Sequence, residues 1–318
     1  MIIPVCFIYD KNFIMPTSVA ITSMLDNRRE DTFYDIFLIG VGCENEDVSY
    51  LEAFKSEKNV DVHFRTADMS EFKDISQVSH VSPAAMVKFN LPKIVPEYDK
   101  LLYIDGDVLI MKDLTEFYSE DLTGYYIGGP MNTVDVVRGK NQYLSGAYVF
   151  DSKRMREDDI PRKLIEHRLS LGNRKAMDIT TFNDVLNADF KNMPIKYDLP
   201  IRKLMYERKY YNLARFNAFF GESYSNYKEI IEDAVVIHFD GADKPWKYSC
   251  FLYDDVWYRY YKKSPCKDLP LKRKNFLDYL GEQIDKNGIK GPYYVFKDWI
   301  SESFGRVRSV PYIENDFK

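Results

Sequence analysis

Cysteine is scarce in this chain and nowhere clustered. Cys6, Cys43, Cys250 and Cys266 stand far apart with no C-x-x-C spacing, which excludes a zinc knuckle and a dithiol redox pair. At 318 residues the chain has no need of disulfide staples, and isolated thiols fit a reducing cytoplasm. Long apolar runs are missing too: none approaches the roughly 18 to 20 residues that a membrane-spanning helix requires. The N-terminal run from Ile2 to Tyr9 lacks a basic leader and stops at Asp10, so it reads as a buried first strand rather than an export signal. A charge excess of one sign is also missing. With 44 basic and 49 acidic residues the formal charge is −5, which gives no global field to draw in nucleic acid. No internal repeat or low-complexity segment appears in the sequence.

Core material, by contrast, is plentiful. A chain that is 45% hydrophobic and 15% aromatic can bury one large α/β domain with a smaller C-terminal appendage. The pattern alternates strands with helices. A helix opened by Pro16, with Val19, Ile21, Met24 and Leu25 on its apolar face, follows the first strand. A second strand is expected over Tyr34 to Val41, then a helix carrying Val48, Leu51 and Phe54, then a strand over Val60 to Phe64. A further helix from Pro83 to Val95 feeds a strand, Leu101 to Ile104, that runs directly into Asp105-Gly106-Asp107. Tyr125 to Gly129, Ala147 to Phe150 and Ala234 to Phe239 read as strands, and Lys153 to Leu169 and Thr181 to Leu186 as helices.

Two constellations carry chemistry. Asp105 and Asp107, with Gly106 letting the backbone turn closely, can present oxygens to one hard cation at a strand's C-terminal end, the edge where open α/β sheets bind ligands. A solvated turn after an edge strand is the plain alternative. The segment His238 to Trp246 offers an imidazole as a third ligand and, past the flexible Gly241, the ammonium of Lys244 for a phosphate. A histidine at a strand end can equally be structural.

These segments resemble a known family. Tyr9-Asp10-Lys11-Asn12 after the first strand, His80-Val81-Ser82 before a helix, Asp99 to Asp107, Ser145-Gly146 before a strand, and His238 to Trp246 are together similar to glycosyltransferase family eight, over residues 1 to about 260. The resemblance implies a GT-A fold, a Rossmann-like mixed sheet flanked by helices, and retaining transfer of a hexose, glucose or galactose, from a UDP-sugar with manganese or magnesium. It implies Asp105, Asp107 and His238 as metal ligands, Asp10 and Asn12 against the uridine, and Gly241 with Lys244 over the diphosphate. Lys88 stands where the family usually has an arginine that contacts the donor sugar, which keeps the charge but loses the planar fork. Asp178 matches the first residue of the family's Asp-Gln-Asp or Asp-Gln-Gly motif and, with Lys244, is expected to serve catalysis. Two departures follow from the same comparison: Leu144 replaces an asparagine near the donor sugar, and Ile179 replaces a glutamine beneath the anomeric carbon.

The expected activity is transfer to a saccharide or lipid-linked saccharide in bacterial surface polysaccharide or lipopolysaccharide assembly. A catalytically silent nucleotide-sugar binder is the alternative. A nucleotidyltransferase also uses paired aspartates, but Asp10-Lys11-Asn12 supplies no glycine-rich phosphate loop. The expected division is residues 1–263 as the catalytic domain and 264–318 as an extension, with the acceptor chosen by Asn132 to Gln142 and Lys196 to Tyr227. Trp257, Tyr258, Tyr260 and Tyr261, running into Lys262, Lys263, Lys267, Lys272, Arg273 and Lys274, suit either an anionic membrane surface or a packed helix with a basic linker.

Overall fold

The computed structural model describes residues 1–43, 48–72, 83–132, 142–144, 146–172, 178–202 and 213–287. His80-Val81-Ser82, Ser145, residues 133–141 and 203–212 of the two expected acceptor segments, and residues 288–318 lie outside the described residues. Among those described, β1 (Ile2–Tyr9), β2 (Phe33–Gly40), β3 (Val60–Thr66), β4 (Lys100–Ile104), β6 (Ile127–Gly129), β7 (Ala147–Asp151) and β8 (Phe190–Asn192) form one sheet, ordered β3-β2-β1-β4-β7-β6-β8. A smaller sheet sets β5 (Val108–Ile110) and β9 (Leu199–Pro200) on either side of β10 (Val236–His238).

The large sheet is mixed. β3, β2, β1 and β4 run parallel, whereas β7 is antiparallel to both β4 and β6. β1 and β2 are buried on both faces, which is why their sequences are apolar without alternation. Within β1 the faces still separate: Ile3, Val5, Phe7 and Tyr9 pack into one apolar cluster, Cys6 and Ile8 into another. Asp35, the one charge inside β2, is held by the hydroxyl of Tyr98 at 2.7 Å and by His63 Nε2 at 2.7 Å. None of the four cysteines is in a disulfide.

β1 sends the chain through the helix Ile14–Asp26 to β2 on one side, while β4 lies on the other. The gap between the C-terminal ends of β1 and β4 is therefore a topological switch point, the place where α/β sheets open a ligand crevice. Asp105 follows β4 there.

Three expected elements change form. Pro83–Asn90 is a 3-10 helix, and only Leu91–Ile94 is α-helical, because Pro92 can occupy a first turn but not a helix interior. The helix expected over Lys153 to Leu169 is two, Ser152–Glu157 and Ile160–Ser170, broken at Asp159 with φ 51° just before Pro161. The strand expected from Ala234 to Phe239 is the shorter β10, and it pairs in the small sheet. No helix among the described residues is long and apolar enough to cross a membrane.

The helix Asp254–Lys263 packs its aromatic side inward. Trp257 and Tyr261 are buried, their rings stacked at 5.8 Å, and the Tyr260 hydroxyl accepts from the Asn27 amide at 2.8 Å. The packed-helix reading thus accounts for Trp257 and Tyr261, which a membrane surface would need exposed.

Candidate active site

The turn after β4 is built around a missing side chain. A methyl group on Gly106 would meet Thr17 Oγ1 at 2.5 Å and the Phe13 ring at 3.2 Å, so only glycine lets the Asp105–Asp107 turn lie against the start of the Ile14–Asp26 helix. β5 leaves the turn and pairs antiparallel with β10 in the register His238 to Val108. Phe239 N donates to the Asp107 carbonyl at 3.0 Å. Strand pairing thereby brings an imidazole from 131 positions further along the chain beside the acidic pair. Asp105, Asp107 and His238 each offer one ligand atom, all within 4.8 Å of one another.

Two lysines attend the pair without blocking it. Lys88 Nζ lies 3.3 Å from Asp105 Oδ1 and 2.6 Å from Asp178 Oδ2, and the Tyr103 hydroxyl also donates to Asp105 Oδ1. Lys244 Nζ donates to Asp107 Oδ2 and to the Phe239 carbonyl, the latter at 2.7 Å. Asp107 Oδ1 accepts no hydrogen bond although it is buried, and it faces His238 Nε2 at 3.5 Å. A buried carboxylate oxygen without a donor is costly, and a cation between it and the imidazole would satisfy it. The donor set of two carboxylates and one imidazole suits manganese or magnesium.

Charge supports the same fit. The carboxylates of Asp105 and Asp178 face the ammonium of Lys88, that of Asp107 faces Lys244, and that of Asp198 faces the His238 imidazole. Once the imidazole is deprotonated, as a metal ligand must be, two negative charges are left over, the charge of one divalent cation. Burial pushes Asp105 up to about 6, assisted by Asp107, against the pull of Lys88 and His238. Burial acts upward on Asp107 too, but Lys244 and His238 outweigh it and hold that carboxyl well below the ordinary range. His238 is raised well above the usual imidazole value: burial opposes its charge, and Asp198 and Asp107 overcome it. For Lys88, burial is likewise outweighed by Asp105 and Asp178, which raise its value.

Asp198 is the partner that sequence reasoning missed, having placed it in a variable segment. It is fully buried; its Oδ1 lies 2.9 Å from His238 Nδ1 and its Oδ2 accepts from Gly146 N at 2.8 Å. The Gly146 carbonyl in turn accepts from Asp105 N at 2.8 Å. One glycine backbone thus ties both halves of the ligand set, and a side chain there would overlap His238 and Asp198. With Nδ1 engaged, Nε2 is the nitrogen turned to the acidic pair. The available signal was a lone acid between the apolar Ile195 and Leu199-Pro200-Ile201.

These groups open on a cavity of about 530 Å³ that Asp10, Lys88, Asp178, Gly241 and Lys244 also line. Leu144 and Ile179 stand in its wall, where the family resemblance implies amides. Asn12 is exposed; its backbone N–H donates to Asp10 Oδ1 at 2.8 Å, and its side chain is not part of the cavity wall.

The chain matches known proteins along most of its length. It is 24% identical over 318 aligned residues to a lipopolysaccharide 1,2-glucosyltransferase of Escherichia coli, covering 89% of each chain. It is 21% identical to general stress protein A of Bacillus subtilis strain 168, covering 79% of this chain and 90% of that one. Among solved structures, an active-site mutant of LgtC superposes with a TM-score of 0.70 at 17% identity, over 82% of this chain and 96% of that one. LgtC in complex with donor and acceptor sugar analogues gives 0.68 over the same shares, at 16% identity. The LgtC likeness establishes the GT-A-type fold. Since the model of glycosyl transferase family 8 matches residues 4–250, the chain belongs to that family and is a glycosyltransferase.

Proposed function

We propose that this enzyme transfers a hexose, glucose or galactose, from a UDP-sugar to a hydroxyl of a saccharide acceptor with retention of configuration, in bacterial surface polysaccharide or lipopolysaccharide assembly. The observation that carries the reading is the convergence of Asp105, Asp107 and His238 within 4.8 Å, beside Lys244 and on the wall of one cavity. Those three residues would hold a manganese or magnesium ion, which when bound stabilises charge on the departing diphosphate.

The protein's own groups do the rest. Lys244, carried by the loop that starts at Gly241, would share the diphosphate's charge; a single ion pair near 4 Å is worth roughly 4 kcal/mol at an effective dielectric of 20, too little alone. Asp10 would meet the uridine at the β1 end of the cavity, with Asn12 beside it. Lys88 fixes Asp178, and the two would orient sugar hydroxyls. In the transfer the bond from the anomeric carbon to the phosphate oxygen breaks and the acceptor oxygen bonds to that carbon on the same face. The acceptor's proton passes to the phosphate oxygen that leaves. A covalent adduct on Asp178 is the alternative route; mass spectrometry of enzyme held with donor and no acceptor detects it if it accumulates.

The test is UDP release from UDP-glucose and UDP-galactose with manganese, with chelator, and in Asp105→Asn. Release that chelator does not suppress, or that survives in the variant, overturns the metal assignment. A second reading, a silent nucleotide-sugar binder, draws on Leu144 and Ile179 in the cavity wall. Tight donor binding without any UDP release would favour it. Residues 1–263 would form the catalytic domain and 264–318 an extension. The exposed Lys262, Lys263, Lys267 and Lys272 would make peripheral contact with the inner face of an anionic membrane, checked by liposome co-sedimentation.

A further inference from the structure

The loop of residues 240–253 joins β10 to the helix Asp254–Lys263 without regular structure, yet it carries Gly241, at φ 86°, and Lys244. An irregular loop holds a buried ammonium in place only if other parts of the chain capture its backbone. Here the capture comes largely from residues beyond 250, where the family match ends.

Arg273 Nε donates to the carbonyls of Pro245 at 2.7 Å and Tyr248 at 2.9 Å, and its Nη2 to the Asp254 carbonyl at 2.9 Å. Lys274 pairs with Tyr248 as a parallel bridge: Lys274 N donates to the Lys247 carbonyl at 2.8 Å, and Ser249 N to the Lys274 carbonyl at 2.9 Å. The helix Phe276–Asn287 then closes over the loop. Tyr279 sets its ring edge-on to Tyr248 at 5.2 Å and to Phe251 at 4.9 Å, and its hydroxyl lies 3.3 Å from Asp243 Oδ2. The Tyr248 hydroxyl donates to Glu282 at 2.7 Å. Arg202, which follows β9, reaches the carbonyls of Asp243 and Leu252 and pairs with Asp254 at 2.6 Å, both side chains buried. Lys244 lies within the stretch that these anchors hold, between Asp243 and Pro245, its own carbonyl accepting from the N–H groups of Lys247 and Tyr248.

We infer that Arg273 and Tyr279 are positioning residues: the segment after residue 264 braces the 240–253 loop and so sets where the Lys244 ammonium stands. The role of this segment is therefore to present a phosphate-binding group, and a nucleoside diphosphate is the ligand that reads it. The inference rests on the reading that Lys244 meets the diphosphate.

The test titrates UDP with manganese into full-length wild type, Arg273→Ala, Tyr279→Phe and Lys244→Ala by calorimetry, and follows tryptic cleavage after Lys247 in parallel. Loss of the Arg273 contacts should weaken UDP about tenfold and speed cleavage, since its three hydrogen bonds to the loop and to the start of the next helix go together. Removing the Tyr279 hydroxyl should weaken UDP about threefold, and this milder variant carries the test if Arg273→Ala does not fold. UDP affinity equal to wild type in the folded brace variants, with or without faster cleavage, overturns the inference. Wild-type affinity in Lys244→Ala instead overturns the assignment of Lys244, while the cleavage rates still report whether the brace holds the loop.

Discussion

Asp105 and Asp107 are chemically identical and two positions apart, and the two regions that enclose them treat them in opposite ways. The Asp105 side belongs to the large sheet: Tyr103 from β4, Lys88 from the 3-10 helix and Asp178 from the helix Asp178–Leu186 surround it, and burial wins, lifting it to about 6. The Asp107 side belongs to the small sheet: His238 from β10 and Lys244 from the following loop surround it, and they win over burial. Asp105 has one cation, which Asp178 shares and holds more closely; Asp107 has two, and Asp198 backs the imidazole. The lesson is that the protonation of a motif residue is set by which sheet supplies its neighbours, not by its place in the motif.

Breaking the Asp107 side should have the largest effect. Asp107→Asn removes a proposed ligand and the counter-charge of Lys244, and manganese-dependent UDP release should fall on the order of 10²–10³-fold. Steady-state kinetics at saturating donor would check it, and a loss below tenfold would mean that Asp107 is not a ligand. Next comes the support behind the imidazole. Asp198→Ala should weaken manganese binding by about 10- to 100-fold, the usual cost of removing a group that orients a metal-binding histidine. Titration of free manganese followed by electron paramagnetic resonance reads this directly, without turnover.

The smallest effect should appear on the Asp105 side, and with opposite sign. Because the folded value of about 6 lies above that of the unfolded chain, the folded state binds the extra proton between the two values. Ionised Asp105 therefore costs stability above about pH 6, and the cost is relieved as pH falls toward about 4. In the presence of chelator, Asp105→Asn should stabilise the protein by about 2 kcal/mol at about pH 7.5, with the gain vanishing near about pH 4. Urea denaturation across that range measures it, and a destabilised variant at the higher pH would erase the contrast with Asp107.

Legibility followed the same division. β1, β2 and β4 and the helix Ile14–Asp26 were readable because continuous apolar runs and a first-turn proline are local signals. The site residues Asp105, Asp107 and His238 stood out through the family resemblance as much as through their chemistry. β8 and β9, of three and two residues, carry too little pattern to be seen, and they are strands only because β6 and β10 offer them edges. Asp198 was hidden for a related reason: its function arises from β9 lying beside β10, a pairing no local window contains.

By itself the sequence determined the α/β alternation, the buried sheet edge on which the acidic pair falls and the candidate ligands, since apolar periodicity and short motifs are written in neighbouring residues. Only the tertiary structure decided that β5 and β10 bring His238 against Asp107, that Asp198 and Gly146 fasten that imidazole, and that Arg273 and Tyr279 grip the loop of Lys244. Those contacts join residues from 25 to 131 positions apart. What brings them together is the burial of four apolar clusters at once, a property of the whole chain and of no segment within it.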